Sequence, residues 1–502
     1  MFINNSLKAK YFSIYYSFSN GYDKINWIVL TINQLFSSIS PILKLLHKSS
    51  IYHKLKNVFL PISLYCRQSI HPNMKVALND KKVISAWALY DWANSAYALV
   101  ISTAIFPVYF YINSPQTVNF LGMDLANTAM FSYSVSFSFL VIAFLSPLLS
   151  GIADYSGRRM FYLKFFTILG SIACLSMFFF NGPEDVWIGL ITFILASIGY
   201  AGGVVFYNSY LPEIASEDQF DKVSAKGFAY GYLGSVLLLI ANLVIIQKPA
   251  WFGITDERLP YQIAFMMVGI WWLFFAFVSF RNFPKDRNDP LTENVIKKGL
   301  VEIKKAFNKI WSKRDLKFFL CSYFFYTAGV NTVIYLATTF AKEEINMETG
   351  ELILTVLVIQ IVGIIGAYFF AFVSGKKGNK ISIGAMLFIW IVICIMAYFV
   401  TAKIHFYVIA ALVGLVMGGI QSQSRSVYSK LIEERGSDLA SYYSFYDILT
   451  KVAVVVGTFF FGIVAQLTGS LRNSVLVLVV FFVLGLIFLS ASKMRGEDGL
   501  NL

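Results

Sequence analysis

The chain has 502 residues, of which 57% are hydrophobic and only 14% are charged, and its net charge is +13 at pH 7. Because soluble globular domains carry about 25% charged residues, this composition excludes an ordinary soluble protein and predicts a membrane protein with many spans. The positive charge suits lysines and arginines that face an anionic membrane surface, so we expect a lipid bilayer and no nucleic acid as partner.

The first 73 residues differ from everything that follows. They are rich in Asn, Ser, Tyr, Ile and Lys, and their most apolar stretch, around 25–46, is interrupted by polar side chains and a proline. Such a stretch fits neither a membrane span nor a signal peptide. We therefore expect residues 1–73 to form an N-terminal extension that is disordered or absent from the physiological protein, with Met74 near the physiological start.

Twelve apolar stretches follow, each long enough to cross a membrane as a helix, which needs about 20 residues. A long polar connection over 282–315 divides them into six and six, which suggests internal duplication. We expect a first half over 74–281, a second half over 316–493 and a short cytoplasmic tail over 494–502. The predicted spans are 85–112, 128–150, 160–180, 186–211, 226–248, 262–281, 316–340, 351–374, 381–401, 404–428, 440–466 and 471–492.

Lysines and arginines are concentrated in alternate connections, beginning with the segment before the first span. Because basic connections remain on the cytoplasmic side of a membrane, both ends of the bundle are predicted to be cytoplasmic. We expect a multi-pass protein of a cell membrane, and specifically of a bacterial inner membrane.

Span 1 opens with WALYDWANSAY, which places an acid, Asp91, between two tryptophans. At 100° per residue, Asp91, Asn94 and Ser95 fall in one sector of the helix, and Tyr97 flanks that sector. A polar stripe along a span faces protein or water rather than lipid. Two interpretations remain open: Asp91 contacts a substrate, a cation or a gate residue, or it only orients the ends of helices.

The loop after span 2 reads GIADYSGRRM. Gly151 permits close helix approach, and Gly157 permits the chain to reverse. Asp154 can accept hydrogen bonds at the N-terminus of a neighbouring helix, where the helix dipole favours an anion, and we expect that helix to be span 11. Arg158 and Arg159 should remain at the inner surface, so that this loop takes part in the conformational switch.

Spans 4 and 10 both become glycine-rich and then polar towards their inner ends. Asn208 and Gln421 add hydrogen-bonding capacity there, next to the charges of Glu213 and Arg425. Opposite charges attract more strongly as the local dielectric falls. We therefore predict that Arg425 approaches Glu213 or Asp91 when the inner mouth closes, with Glu213 as the preferred partner.

The connection between the halves contains a candidate amphipathic helix. Asp289 can cap it, with Pro290 at its first position. Lysines separate the apolar residues, so the helix should lie on the inner membrane surface, although a merely solvated linker remains the alternative. The apolar residues at helical spacing are Ile296, Leu300, Ile303, Phe307 and Ile310.

In the second half, the stretch YTAGVNT of span 7 contains no acid. Span 7 provides Tyr326, Asn331 and Tyr335 as polar side chains that could line a path. After span 8, Gly375 stands at the position that Asp154 occupies in the first half. The second copy of the loop therefore lacks the carboxylate.

Span 11 contains an intramembrane ion pair. Asp447 and Lys451 are four residues apart and share a helix face, with the acid on the favourable N-terminal side. An unpaired ammonium near the middle of the membrane would cost at least about 2.5–3.5 kcal/mol. We expect the pair to face protein, and a lysine that snorkels to the surface is the alternative.

The loop GIADYSGRRM resembles the signature of the major facilitator superfamily. Four further stretches, WALYDWANSAYALVISTAIFPVYF, VVFYNSYLPEIAS, KGFAYGYLG and GGIQSQSRSVYSKLI, occur in the order seen in its unknown major facilitator family 1. That family is related to the fungal vacuolar amino-acid effluxer of autophagy. The resemblance covers about 75–493 and implies an all-α fold of twelve transmembrane helices in two halves.

In that fold, spans 1, 4, 7 and 10 line the central cavity, which gives the polar residues of these spans an expected role. The resemblance implies a secondary transporter or facilitator that moves a small polar solute by rocker-switch alternating access, with amino acids as the first solute class and a proton or sodium ion as a possible coupling ion. The expected substrate path comprises Asp91, Asn94, Ser95, Tyr97, Asn208, Tyr326, Asn331, Tyr335 and Gln421.

Other functions are less well supported by the sequence. A multi-pass enzyme that acts on lipids would need an acidic or histidine cluster at one interface, and a receptor or scaffold would need no chemistry at all. The four histidines do not cluster in the predicted bundle, and no phosphate loop or metal spacing occurs. We expect no enzyme activity, cofactor or metal, and a monomer.

Overall fold

The computed structural model describes residues 77–120, 122–289, 294–432 and 438–492. The predictions for residues 1–73 and for the tail over 494–502 lie outside these ranges. Twelve helices in the described ranges are long and apolar enough to cross a membrane, which confirms the predicted spans. They are α1 Lys81–Asn113, α2 Asn127–Ser156, α3 Arg159–Ser176, α4 Val186–Asn208, α5 Phe220–Gln247, α6 Leu259–Phe280, α7 Arg314–Ile345, α8 Thr349–Lys377, α9 Asn379–Phe399, α10 Lys403–Leu431, α11 Leu439–Thr468 and α12 Leu471–Ala491.

A short β-hairpin, absent from the predicted elements, joins α1 to α2. Strand β1, Thr117–Phe120, pairs antiparallel with β2, Met123–Ala126. Each strand has only four residues, so its alternation is too short to stand out in a sequence. The side of the bundle that carries this hairpin is called the hairpin end, and the opposite side, which carries the connection between the halves, is called the linker end.

Helix α1 changes its winding in the middle. Its segment Tyr97–Ile105 is a π-helix, and a new α-helical segment starts at Phe106, with Pro107 in its first turn. A proline inside a helix lacks the amide donor and crowds the carbonyl one turn before it, and a π-turn relieves that crowding. The π-segment also changes the direction in which residues after Tyr97 point, relative to an ideal helix.

Each half builds a hydrophobic core of its own. One cluster of buried side chains comes almost entirely from α1–α6, and a second comes almost entirely from α7–α12. A third, small cluster joins the halves through Ala225 of α5 and Ala367 and Ala371 of α8. A few apolar side chains also cross between the two large clusters, such as Ala440 of α11 in the first and Tyr232 of α5 in the second. The cores are otherwise separate, which suits two bodies that can rotate against each other.

The predicted amphipathic helix is present as Val295–Ser312 and is called the linker helix. It begins after Asn294, so the expected cap at Asp289 is wrong. The Asp289 amide instead donates to the carbonyl of Ser156, 3.0 Å away. The segment over 287–289 thus pairs with the end of α2 and delays the start of the helix.

Candidate gate and transport path

Polar contacts between the two halves are concentrated at the linker end. Among the described residues, every hydrogen bond from a helix of the first half to one of the second joins the linker-side portions of those helices. The linker end is therefore closed in this structure. The arrangement has three parts, one centred on Arg425 and two on buried aspartates.

Arg425 of α10 is 3% exposed and enters the first half. Its Nη1 donates to Asp91 Oδ2 at 3.3 Å and to Asn208 Oδ1 at 3.2 Å. Its Nε and Nη2 donate to the hydroxyl and the carbonyl of Ser224, at 3.0 and 2.9 Å. Asp91 also accepts a hydrogen bond of 2.7 Å from the Tyr207 hydroxyl. Because a buried charge needs partners for its remaining polar atoms, this set of contacts holds the two halves together.

Aromatic rings surround the same guanidinium. Its central carbon lies 4.2 Å from the ring centre of Phe228 and 4.6 Å from that of Trp87. The Trp87 ring stacks on Tyr207 at 4.6 Å, and its Nε1 donates to the Tyr207 carbonyl at 3.1 Å. Ring faces attract cations, more so where water is excluded. The cage thus compensates part of the lost hydration of Arg425.

Gly227 leaves the space that this cage needs. A Cβ atom at Gly227 would lie 2.8 Å from Arg425 Nη2, from Asp91 Oδ2 and from the Trp87 ring. All three distances are shorter than contacts that real Cβ atoms make. The glycine therefore permits α1, α5 and α10 to meet around the ion pair.

The preference for Glu213 as the partner of Arg425 is wrong. Helix α4 ends at Asn208, and Glu213 belongs to a separate helical turn, Leu211–Ile214. The turn directs its carboxylate to Arg159 of the same half, at 2.9 Å. Asn208, at the end of α4, faces Arg425 instead. The predicted span ran to residue 211, so the prediction treated Glu213 as part of the end of α4 that faces α10.

The contact predicted for Asp154 is confirmed. Its Oδ1 accepts a hydrogen bond from the amide of Ala440 at 3.1 Å, and its Oδ2 accepts two, from the amide and the hydroxyl of Ser441, both at 2.7 Å. These amides belong to the first turn of α11, where the free N–H groups and the helix dipole favour an anion. The first junction therefore joins α2 to α11.

The turn after Asp154 has a defined geometry. Gly157 has a φ of 62°, and the Arg158 amide donates back to the carbonyl of Ala153 at 3.0 Å, which forms a Schellman motif. Gly151 lies against the linker helix, since a Cβ there would be 2.3 Å from the carbonyl oxygen of Gly299. The glycines of the loop thus serve a helix end at Gly157 and a close contact with the linker helix at Gly151.

Asp286, in the segment that follows α6, caps the start of α3. It accepts hydrogen bonds from the amides of Met160 and Phe161, at 2.7 and 2.9 Å. Burial raises the pKa of Asp286 to about 6, although these two amides lower it. The carboxylate fixes the start of α3 and, through it, Arg159.

A second junction, which the sequence did not predict, surrounds Asp221 at the start of α5. Its carboxylate accepts hydrogen bonds from Ser374 at 2.9 Å, Asn379 at 2.9 Å and Ser426, and it pairs with Lys430 at 2.8 Å. All four partners belong to the second half. The junction therefore joins α5 to α8, α9 and α10.

The two junctions have the same design, but the helix position that supplies the acid differs between them. In the first, the acid lies at the end of α2 and the donors lie at the start of α11. In the second, the acid lies at the start of α5, and Ser374 and Asn379 beside the α8–α9 turn are the donors. Gly375 indeed lacks a carboxylate, yet the contact is present because Asp221 supplies it from the other side.

The other expected path residues have different surroundings. The Tyr97 hydroxyl shares a hydrogen bond of 2.7 Å with the Ser197 hydroxyl in the first half. In the second half, the Tyr326 hydroxyl shares one of 2.7 Å with the Ser424 hydroxyl. Asn94 is buried, Asn331 donates to the Thr327 carbonyl of its own helix, and Gln421 accepts from Tyr232 of the other half. Ser95 lies against α5 at Gly231, and Tyr335 is 47% exposed. The structure thus does not gather these residues at one point.

The ion pair of α11 faces protein, as predicted. Lys451 is 9% exposed and donates to Asp447. Its Nζ also lies 6.0 Å from the ring centre of Phe139 in α2. A snorkelling lysine would extend towards the surface, so the pair places two charges between the halves instead. No group of acidic, histidine or cysteine side chains in the described ranges could hold a metal ion.

The family model for Atg22-like vacuole effluxers matches residues 79–497. The chain belongs to this family. The uncharacterised MFS-type transporter YxiO of Bacillus subtilis is 31% identical, over 81% of this chain and 94% of that protein. Autophagy-related protein 22 of Coccidioides immitis is 24% identical, over 82% of this chain and 79% of that protein.

The solved structures that match agree on the fold. The fucose:proton symporter FucP of Escherichia coli superposes with a TM-score of 0.61 at 14% identity, over 82% of this chain and 98% of FucP. This Atg22-like chain therefore has the fold of the major facilitator superfamily, with twelve transmembrane helices in two halves. Its relatives are transporters, and the chain is a multi-pass membrane transporter.

Sequence reasoning about this Atg22-like chain missed the aromatic cage and the second junction. Trp87 precedes Asp91 by one helical turn, so the sequence could have predicted that both lie on one face of α1. Nothing in a single sequence indicates that Phe228 of another helix packs against the same guanidinium. Asp221 was missed because the predicted fifth span began at 226, whereas α5 begins at Phe220. Asp221 was therefore assigned to the loop before the span, although it lies in the first turn of α5.

Proposed function

We propose that the protein is a secondary transporter or facilitator that moves a small polar solute, with amino acids as the first class to test, by rocker-switch alternating access. The observation that carries this proposal is the confinement of polar contacts between the halves to the linker end, around the buried pair of Arg425 and Asp91. A gate of this kind can open only if the halves rotate and expose the pair to water.

The orientation of the closed end follows from the distribution of charge. Lysines and arginines are concentrated in the connections of the linker end, and basic connections remain cytoplasmic. The linker end is then cytoplasmic, both ends of the bundle lie on that side, and the structure corresponds to a state closed to the cytoplasm. A bacterial inner membrane is the membrane we propose.

The solute is expected to meet charges in the middle of the bundle. Asp447 and Lys451 lie in the second half, and the Lys451 ammonium approaches α2 of the first half. Each group satisfies the other in this structure, so a zwitterion could exchange the pair for two contacts of its own. Amino acids are zwitterions, which is the chemical reason to test them first.

The test is solute uptake by the purified protein in proteoliposomes. A thermal-shift screen of metabolites selects candidates, and uptake of each labelled candidate is then compared with empty liposomes, with and without a proton or sodium gradient. Saturable uptake supports the proposal, and dependence on one gradient identifies the coupling ion. Stabilisation by a metabolite without uptake would favour a receptor, and chemical conversion of a lipid would favour an enzyme.

A further inference from the structure

The linker helix presents three different faces. It buries Gly299, Ala306 and Ile310 against the bundle. A second face is apolar but exposed, within about 60° of arc, and it includes Ile296 at 60% and Trp311 at 64% exposure, with Leu300 and Phe307 between them. The third face is polar.

Two exposed lysines border the apolar face. At 100° per residue, Lys297 and Lys304 follow directly after Trp311 around the helix axis, and both are exposed. Lys305, which pairs with Glu302 at 2.8 Å, points to a different side. An apolar face bordered by lysines is the pattern of a helix that lies in the membrane interface, where anionic headgroups attract the cations.

The same helix contacts both halves of the transporter. On the first half, Gly299 lies against Gly151, and Lys298 donates to the Tyr155 hydroxyl at 2.8 Å. On the second half, Lys309 pairs with Asp438 at 3.3 Å. Asp438 stands just before α11, whose first amides bind Asp154 of the first junction. The linker helix therefore spans the seam that closes the linker end.

We propose that the exposed face of the linker helix binds anionic phospholipid headgroups and that this binding stabilises the closed linker end. When the halves separate, the helix can follow only one of them, because its contacts to α2 and to α11 move apart. Lipid that holds the helix in the position seen here favours the closed state by thermodynamic linkage. The inference uses the closing movement of the proposed function, but it is independent of the solute and of which membrane side the linker end faces.

The test measures closure directly. Spin labels on Glu217→Cys in the first half and Lys376→Cys in the second, in a variant without the four native cysteines, report the distance across the linker end. The protein is reconstituted in phosphatidylcholine alone and in phosphatidylcholine with phosphatidylglycerol. One lysine near an anionic surface is worth about fivefold in a binding constant, so phosphatidylglycerol should raise the ratio of short to long distances by between about 5-fold and about 25-fold.

Two variants separate the proposed surface from general charge effects. Lys297→Gln with Lys304→Gln should remove most of the response to phosphatidylglycerol. Lys305→Gln with Lys342→Gln removes the same number of charges elsewhere and should keep the response. Soluble glycerol phosphate in place of the lipid should have no effect.

The outcomes decide between the alternatives. An unchanged distance distribution in phosphatidylglycerol, or an equal response of both double variants, overturns the proposal. So does a response that follows the density of protein in the membrane rather than its lipid, because a second copy would then cover the apolar face. Since the readout is a distance and not uptake, failure of the transport proposal would leave these results interpretable.

Discussion

Arg425 is the residue on which closure of the linker end depends most. It belongs to the second half, and its hydrogen-bond partners Asp91, Asn208 and Ser224 all belong to the first. A guanidinium offers five donors in a fixed plane, which lysine cannot reproduce. One side chain thus joins three helices, and its removal leaves Asp91 buried with only the Tyr207 hydroxyl.

Arg425→Ala should shift the population towards an open linker end and slow solute exchange. An unpaired buried charge destabilises the closed state by about 3–5 kcal/mol. Exchanging the charges as Asp91→Arg with Arg425→Asp should restore part of the closed population in the spin-label distance measurement. Glu213→Arg with Arg425→Glu is the matched control and should restore none, because Glu213 pairs with Arg159. Equal rescue by both exchanges would contradict the assignment of the gate.

Gly227→Ala tests the packing of the same site without changing a charge. The new methyl group would lie 2.8 Å from Arg425 Nη2 and Asp91 Oδ2, and such overpacking costs about 1–3 kcal/mol. We expect a lower melting temperature and a larger open population. Gly462→Ala is the control, since its Cβ would meet nothing within 4 Å. If both variants have the same melting temperature, the close approach at Gly227 contributes nothing to stability.

Lys451→Met separates a functional lysine from a structural one. Methionine alone would leave the Asp447 carboxylate buried without its partner, which destabilises a protein by about 3–5 kcal/mol, so Lys451→Met is combined with Asp447→Asn, and this double variant should keep the melting temperature. Uptake should nevertheless fall, because the solute loses a cationic partner. Lys342→Met, an exposed lysine, should affect neither quantity. Unchanged uptake by the well-folded double variant would remove this pair from the path.

At the level of helices, two junctions hold the linker end closed. Each binds a carboxylate of the first half to hydrogen-bond donors of the second, but one acid ends a helix and the other begins one. The acid at the end of α2 binds the start of α11, and the acid at the start of α5 binds the α8–α9 turn. Both place a carboxylate where hydrogen-bond donors of the other half converge. Closure is therefore supported on both sides of the Arg425 site.

Asp154→Asn and Asp221→Asn should each lower the closed population, because an amide replaces one acceptor oxygen by a donor that faces other donors. The two junctions share no partner residue, so their effects on the free energy of closure should add. The distance distribution across the linker end gives each effect. A double variant that is no worse than either single variant would indicate one cooperative unit instead of two junctions.

The sequence predicted the helices better than their ends, and the site depends on the ends. The span count and the Asp154 contact followed from apolar length and from a loop motif that is local in sequence. Glu213 and Asp221 were misjudged because α4 ends at Asn208 and α5 begins at Phe220. Hydropathy changes gradually at a membrane surface, so a shift of a few residues there decides which charge belongs to a helix.

At the level of the whole molecule, two separate cores and the contacts between them define how the transporter can move. Each half keeps most of its packing when it rotates, whereas the polar junctions, the alanine contact between α5 and α8 and the few apolar side chains that cross between the cores have to separate. The cost of opening is therefore concentrated in few side chains. That arrangement suits a solute that shifts the equilibrium by binding one state better.

The most direct test of this account is to lock the linker end by a covalent bond. Ala225→Cys and Ala371→Cys place two thiols in the small apolar contact between α5 and α8. Neither substitution replaces a residue that binds Arg425, and both are made in the variant without native cysteines. Oxidation of the pair in proteoliposomes should abolish uptake of the identified solute, and reduction should restore it, while the single Ala225→Cys variant should be indifferent to both. Full cross-linking with undiminished uptake would contradict alternating access through an opening of the linker end.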